Sequence, residues 1–315
     1  MTDLSAPART AVEDCLSLAP DESLAVVTDG KRRPIGEALY EAGRAVTDDV
    51  ALVAFPVGDQ HGAEPPAPVA AAMRSADAFL APTTKSLSHT TARKGACEAG
   101  ARGATLPGIT ADVFATGLDA DYEAIAAACA DVHDQVRGAG EIRVTTPAGT
   151  DLTVRPGDRS WLEDTGDVSE PGTFSNLPAG EVFVSPETGD GRFVVDGTMM
   201  PHGLLSEGET LTFEVEDGQI VDVSDAAIRD QLDAAAEEVG DAAYNLAELG
   251  IGTNVAVTDL VGSVLLDEKA GGTVHVAVGD DHSIGGDVTA PVPLDGILRN
   301  PTVEADGEEI TLPSV

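Results

Sequence analysis

Four polar side chains in the second half of the chain stand where the local pattern does not call for one. His275 lies in the middle of the valine-rich run GTVHVAVGDDH (272–282), and Glu181 opens the apolar strand of NLPAGEVFVSPE. Glu248 ends a predicted helix in NLAELGIGTN, and Asp295 sits in the proline-rich stretch PVPLDGIL. Side chains of an extended strand alternate between faces, so Val274, Val276 and Val278 point one way and Thr273, His275 and Ala277 the other. One face is bulky and apolar; the opposite one is small and polar around a single imidazole. Such a histidine is either a satisfied core residue or a ligand. Each carboxylate alone has a simpler role, as a solvated surface group (Glu181, Glu248) or a turn former before glycine (Asp295). Together, carboxylates with one imidazole are the donor set for a hard or borderline divalent ion such as Zn, Mn, Co or Fe. Carboxylates bridging two ions about 3.5–4 Å apart would suit a hydrolase that polarises a carbonyl and activates a water.

These side chains need a scaffold, and the sequence predicts two. Apolar runs at 23–29, 50–56, 76–82 and 101–108 alternate with helical patterns at 34–46, 66–75, 90–99 and 122–137. That spacing indicates βαβ units and a parallel sheet covered on both faces. From about residue 141 the pattern changes: EIRVTTPAGTDLTVRPG alternates at period two around a Pro-Ala-Gly turn, a hairpin signal, and further β-rich stretches follow. Helices are predicted over 225–249, ending at Gly250, and over 256–267. The expected architecture is an α/β N-terminal domain with a mainly parallel, Rossmann-like sheet (1–140), followed by an α+β C-terminal domain (141–315) carrying the metal-ligand candidates.

Composition narrows the setting. The 315 residues carry 55 acidic and 18 basic side chains, a formal net charge of -37, with aromatics at only 3%. The acids are dispersed over an otherwise ordinary globular pattern. Such a surface repels itself in dilute salt but is tolerated in molar salt, where the screening length falls to about 3 Å. The expected setting is the cytoplasm of a salt-accumulating halophile. No basic stripe offsets phosphate repulsion, so nucleic acid is not an expected partner. No apolar run approaches the roughly 20 residues of a membrane-spanning helix, and the N-terminus lacks the basic and apolar regions of a secretory signal. Cys15, Cys97 and Cys129 are widely spaced, without a CxxC pair, and read as reduced thiols. In SLSHTTARKGA (86–96), Ser86, Ser88, His89 and Arg93 enter a helix; they hold an anion there, or Ser88 simply caps the helix.

The phrases NLPAGEVFVSPE, ELGIGTN, LLDEKAGGTVHVAVGD and LDGI, with EPP (64–66), LPGIT (106–110) and AGTDL (148–152), together resemble the aminopeptidase T (leucyl aminopeptidase-like) family of metallopeptidases over nearly the whole chain. The resemblance implies a divalent metal cofactor, one or two ions, and removal of N-terminal residues from peptides by a metal-activated water. It implies Glu181, Glu248, His275 and Asp295 as metal ligands. His282 stands at the position of a family tyrosine, as a further ligand. Pro293 stands where the family carries a histidine, which implies a degenerate site. A related branch, the dihydroxypyridine ring-cleaving dioxygenases, uses a mononuclear iron(II) site and implies the alternative activity. A non-catalytic homologue that binds a small ligand is the third reading. The expected partner is a peptide or small-molecule substrate, and the resemblance is compatible with a homodimer.

Overall fold

Apolar segments too short for helices set the first sheet. The computed structural model describes residues 2–291 and 293–314. Strands β1 (Leu24–Asp29), β2 (Val50–Phe55), β3 (Ala78–Thr83) and β4 (Arg102–Pro107) pair in parallel in the order β2-β1-β3-β4, and Phe174–Asn176 adds a fifth parallel strand beside β4. Helices Arg33–Val46, Ala67–Ser75 and Thr91–Glu98 fill the crossovers, so the N-terminal reading of a parallel α/β sheet holds. β1 and β3 are buried along their whole length, as expected for strands covered on both faces. Val27, Val69, Met73, Phe79 and Leu87 meet in one apolar cluster under the sheet. Arg102, 4% exposed at the start of β4, is matched by Glu22 at 2.7 Å and by the Leu16 carbonyl, which satisfies a charge this deep.

The rest of the chain is mainly antiparallel. One seven-stranded sheet runs from Gln219–Val223 through Leu211–Glu216, Thr188–Val195, Asp151–Arg155, Ile142–Thr145 and Thr302–Ala305 to Glu308–Glu309. The predicted hairpin is its Ile142–Thr145/Asp151–Arg155 pair. The rings of Phe193 and Phe213 stack 4.4 Å apart on neighbouring strands of this sheet. A second seven-stranded sheet carries β5 (Glu181–Val184), β6 (Leu246–Gly252), β7 (Val274–Gly279) and β8 (Pro293–Leu298), paired antiparallel in that order. The chain divides into Met1–Glu123 with Thr165–Ala179, and Ala124–Asp164 with Gly180–Val315. The sequence places one boundary near residue 140, whereas these units interleave.

Two helical predictions are corrected. The helix predicted over 225–249 ends at Val239, where Gly240 adopts φ 66°, and the chain then enters a 3-10 turn and β6. The NLAELGIG segment holds good helix formers, but β5 and β7 offer it two pairing edges and the tertiary pairing wins. Of the helix predicted over 256–267, only Val264–Asp267 forms. The residues before it are held by buried Asp267, which accepts hydrogen bonds from the backbone N–H groups of Val261 and Gly262 and from the Thr198 hydroxyl. No described helix is long and apolar enough to cross a membrane.

Candidate metal centre

The register of β5–β8 explains why four distant residues share one face. Across the sheet, Glu181 stands opposite Gly252, Gly250 opposite His275, and Glu248, Ala277 and Asp295 form one row. A bulge between Leu246 and Glu248 adjusts the last row. Because alternate residues share a face, all four functional candidates project together, while Val274, Val276 and Val278 enter the core on the other side. The positions beside them are Gly250, Gly252 and Ala277; lacking a side chain, Gly250 admits the His275 ring and Gly252 the backbone of residues 269–270.

Glu181, Glu248 and His275 bring ligand atoms within 4.8 Å of one another, a group able to hold a metal ion. His275, 1% exposed, has Nε2 at 3.0 Å from Glu248 Oε1 and 3.4 Å from Glu181 Oε2. Glu181 Oε2 is buried and makes no hydrogen bond. A buried carboxylate oxygen without a donor, converging with an imidazole nitrogen and a second carboxylate, fits a divalent ion and is costly without one. His275 Nδ1 is also buried without a partner, so the ring is positioned by packing instead of by a hydrogen bond to its second nitrogen. The packing surface is Gly250: a Cβ there would lie 2.1 Å from Nε2 and Cε1 of the ring. Gly250→Ala is therefore expected to displace the imidazole and weaken metal binding by about tenfold or more with the fold retained. Metal titration alongside far-UV circular dichroism checks this, and unchanged affinity would show that the ring tolerates another position.

The remaining predicted ligands fall differently. Asp295 projects from β8 on the same face, half-buried, but lies outside the group of three. His282 lies beyond β7 in the 3-10 turn His282–Ile284, exposed and also outside the group. Its neighbour Asp281 is committed elsewhere, bonded to Ser185, Asn245, Arg159 and the Val288 backbone. Pro293 pairs with Gly279 at the start of β8, and proline has no metal-binding side chain. Two residues that the sequence pattern does not single out, Lys269 and Glu268, complete the surroundings of Glu181. Lys269, 3% exposed, places Nζ against Glu181 Oε1 and 2.9 Å from Glu268 Oε1. The available signal was scarcity: Lys269 is one of four lysines in a chain of 315 residues.

Crowded acids in a dry site hold protons. Burial pushes Glu181 up to about 8, with Glu268 and Glu248 reinforcing the shift and Lys269 and His275 opposing it. Burial likewise carries Asp295 to about 7, reinforced by Glu268 and Glu248. Burial alone would depress His275, but its hydrogen bond with Glu248 and the nearby carboxylates outweigh it, and its pKa rises to about 9. All three groups thus bind protons more tightly folded than unfolded. Their contribution to stability is full only below the ordinary values of 3.8 for Asp295, 4.5 for Glu181 and 6.5 for His275, falls as pH rises above each, and is gone once pH has passed about 7, 8 and 9 respectively. The expected result is a urea midpoint of chelated protein that falls from pH 6 to pH 9. Metal uptake near pH 7 should release about two protons, from His275 and Glu181. Calorimetry in buffers of different ionisation enthalpy measures that release, and uptake without protons would contradict the assignment.

The anion-binding reading of residues 86–96 is not favoured by the structure. Thr90, not Ser88, caps the helix by accepting from the Arg93 N–H. Ser88 is buried in a network with Ser86, Thr105 and Asn176, and Arg93 donates to the Ser88 carbonyl and stacks on Phe174. A cavity of about 180 Å³ at the ends of β1–β3, lined by residues including Asp29, Gln60 and Lys85, shares no residue with the metal centre. Cys15, Cys97 and Cys129 form no disulfide among the described residues, and burial pushes Cys129 up to about 12, which leaves it inert.

A parallel α/β sheet followed by a β-rich region that gathers carboxylates and one imidazole on a single face defines a metal-centre enzyme. The chain belongs to the NicX family, described as 2,5-dihydroxypyridine 5,6-dioxygenase, whose profile matches residues 10–313. Among solved structures, it is similar to a 2,5-dihydroxypyridine dioxygenase from Pseudomonas putida KT2440, with 20% identity over 98% of this chain and 95% of that one and a TM-score of 0.80. It is also similar to wild-type AmpT from Thermus thermophilus, with 18% identity over 98% and 96% of the two chains and a TM-score of 0.70. Both likenesses carry the fold. No curated protein matches the sequence. Of the two resemblances read from the sequence, the family match favours the dioxygenase branch over the peptidase.

Proposed function

We propose that the chain is a metal-dependent dioxygenase acting on a small dihydroxylated heteroaromatic ring. The observation that carries this reading is the family match across residues 10–313, together with a buried carboxylate oxygen of Glu181 that lacks a donor beside His275 and Glu248. Glu181, Glu248 and His275 would hold the metal. Iron(II) held there would supply the redox chemistry that lets dioxygen react with a ring. Asp295, with a pKa near neutrality, is suited to accept a proton from a ring hydroxyl as the substrate binds. The donor set departs from the usual two-histidine, one-carboxylate arrangement of non-haem iron oxygenases, since one imidazole joins two carboxylates.

That carboxylate-rich set favours one second reading, aminopeptidase-like hydrolysis with Zn, Mn or Co. An oxygen electrode separates the two, with the protein in molar KCl to screen its net charge of -37. The proposal predicts oxygen uptake when 2,5-dihydroxypyridine and iron(II) are added, and no hydrolysis of aminoacyl substrates. Release of N-terminal residues without oxygen uptake would transfer the assignment to the hydrolase.

A further inference from the structure

The most costly feature of the centre, outside its ligands, is Lys269. A fully buried ammonium is tolerated only where carboxylates surround it. Lys269 has two: Glu181, through Oε1, and Glu268 at 2.9 Å. Its backbone is fixed as well, since its carbonyl accepts from Asn254 N–H at 2.8 Å and its N–H donates to Leu266 O at 3.0 Å. The Glu181 carboxylate is thereby divided. Oε1 faces the ammonium, while Oε2 faces His275 Nε2 and has no donor. In a two-ion centre a carboxylate of this kind bridges, giving one oxygen to each ion. Here one of the two oxygens already has a cation that belongs to the chain.

We infer that Lys269 is a resident cation of the centre: its ammonium occupies the Glu181–Glu268 carboxylate pair in place of a second metal ion and confines the centre to one ion between Glu181 Oε2, Glu248 and His275. This rests on the reading that those three residues hold a metal. It adds that ion number is set by a residue of the chain and not by metal supply. It also accounts for the charge: a monovalent ammonium offsets part of the excess of Glu181, Glu248, Glu268 and Asp295, which one divalent ion beside a neutral, ligating His275 would not fully offset.

The test is metal stoichiometry, read by elemental analysis after equilibrium dialysis against excess Zn, Mn or Co in molar salt. The wild-type chain is expected to hold one equivalent and to stay at one under excess. Lys269→Met, similar in length and uncharged, is expected to rise to two, and Lys269→Gln provides a second neutral variant should the first fail to fold. Lys269→Arg, which keeps the charge, should remain at one. Two equivalents in the wild type would overturn the inference, as would one equivalent in both folded neutral variants. No metal in the wild type would overturn the inference and the metal-site reading together. One equivalent in the wild type and in the neutral variants would remove the role of Lys269 while leaving the proposed function standing.

Discussion

Replacing His275 with alanine is expected to abolish metal binding, lowering affinity by well over about a hundredfold and leaving under a tenth of an equivalent after dialysis. Loss of a residue that merely orients a ligand costs about 10–100-fold in affinity, and loss of a ligand costs more. His275 is the single imidazole in the group of three, and its Nε2 faces both carboxylates. The variant also brings the charges of Glu181 and Glu248 together without the imidazolium, so the metal-free protein should unfold at lower urea. His275→Gln, which retains bulk but is a poor ligand, separates the two effects: it should lose metal with a smaller stability loss. Normal metal content in both variants would show that His275 is a core residue and the centre lies elsewhere.

The second large effect concerns the loop beyond β7. Asp281, 1% exposed, accepts from Val288 N at 2.7 Å, Ser185 Oγ at 2.9 Å, Asn245 Nδ2 at 3.0 Å and Arg159 Nη1 at 3.2 Å. Gly286 packs so closely that a Cβ there would lie 1.9 Å from the carboxyl carbon. Asp281→Ala removes one acceptor from each of the largely buried Arg159 and Asn245, which keep the Pro186 and Gly279 carbonyls; the loss is therefore expected at the lower end of the about 3–5 kcal/mol that breaking a buried pair costs. Asp281→Asn keeps the shape and part of the bonding and should cost less. Urea unfolding measures both. Metal stoichiometry should not change in either, because Asp281 fastens the 281–288 loop and is outside the metal group. A destabilisation under about 1 kcal/mol, or loss of metal with stability intact, would contradict this role.

What was legible in the sequence depended on whether a residue's surroundings lay beside it in the chain. Strict alternation in TVHVAVG was enough to put His275 and the valines on opposite faces, because a strand's period is local. The parallel N-terminal sheet was readable for the same reason: short apolar runs and helices alternate at βαβ spacing. Glu248 was assigned to a helix, because Leu, Ala and Glu favour one locally, and only pairing with β5 and β7 decides for a strand. The local pattern marks Glu181 and Asp295 only weakly and the resemblance strengthens them; their placement on the face of His275 follows from strand order, which lies beyond any local pattern. It also points to His282, which lies in the turn after β7 and outside the group of three. Scarcity apart, nothing in the sequence marks Lys269, because a lysine beside a glutamate in an acidic chain reads as a solvated pair. Its importance comes from burial, which no local pattern reports.

Anomalous diffraction at the cobalt edge, from crystals equilibrated with cobalt, tests the central claim most directly. One strong peak is expected, bounded by Glu181, Glu248 and His275, with the Lys269 ammonium still between Glu181 and Glu268. The absence of a peak at those three residues, or a pair of peaks with Lys269 displaced, would contradict the account.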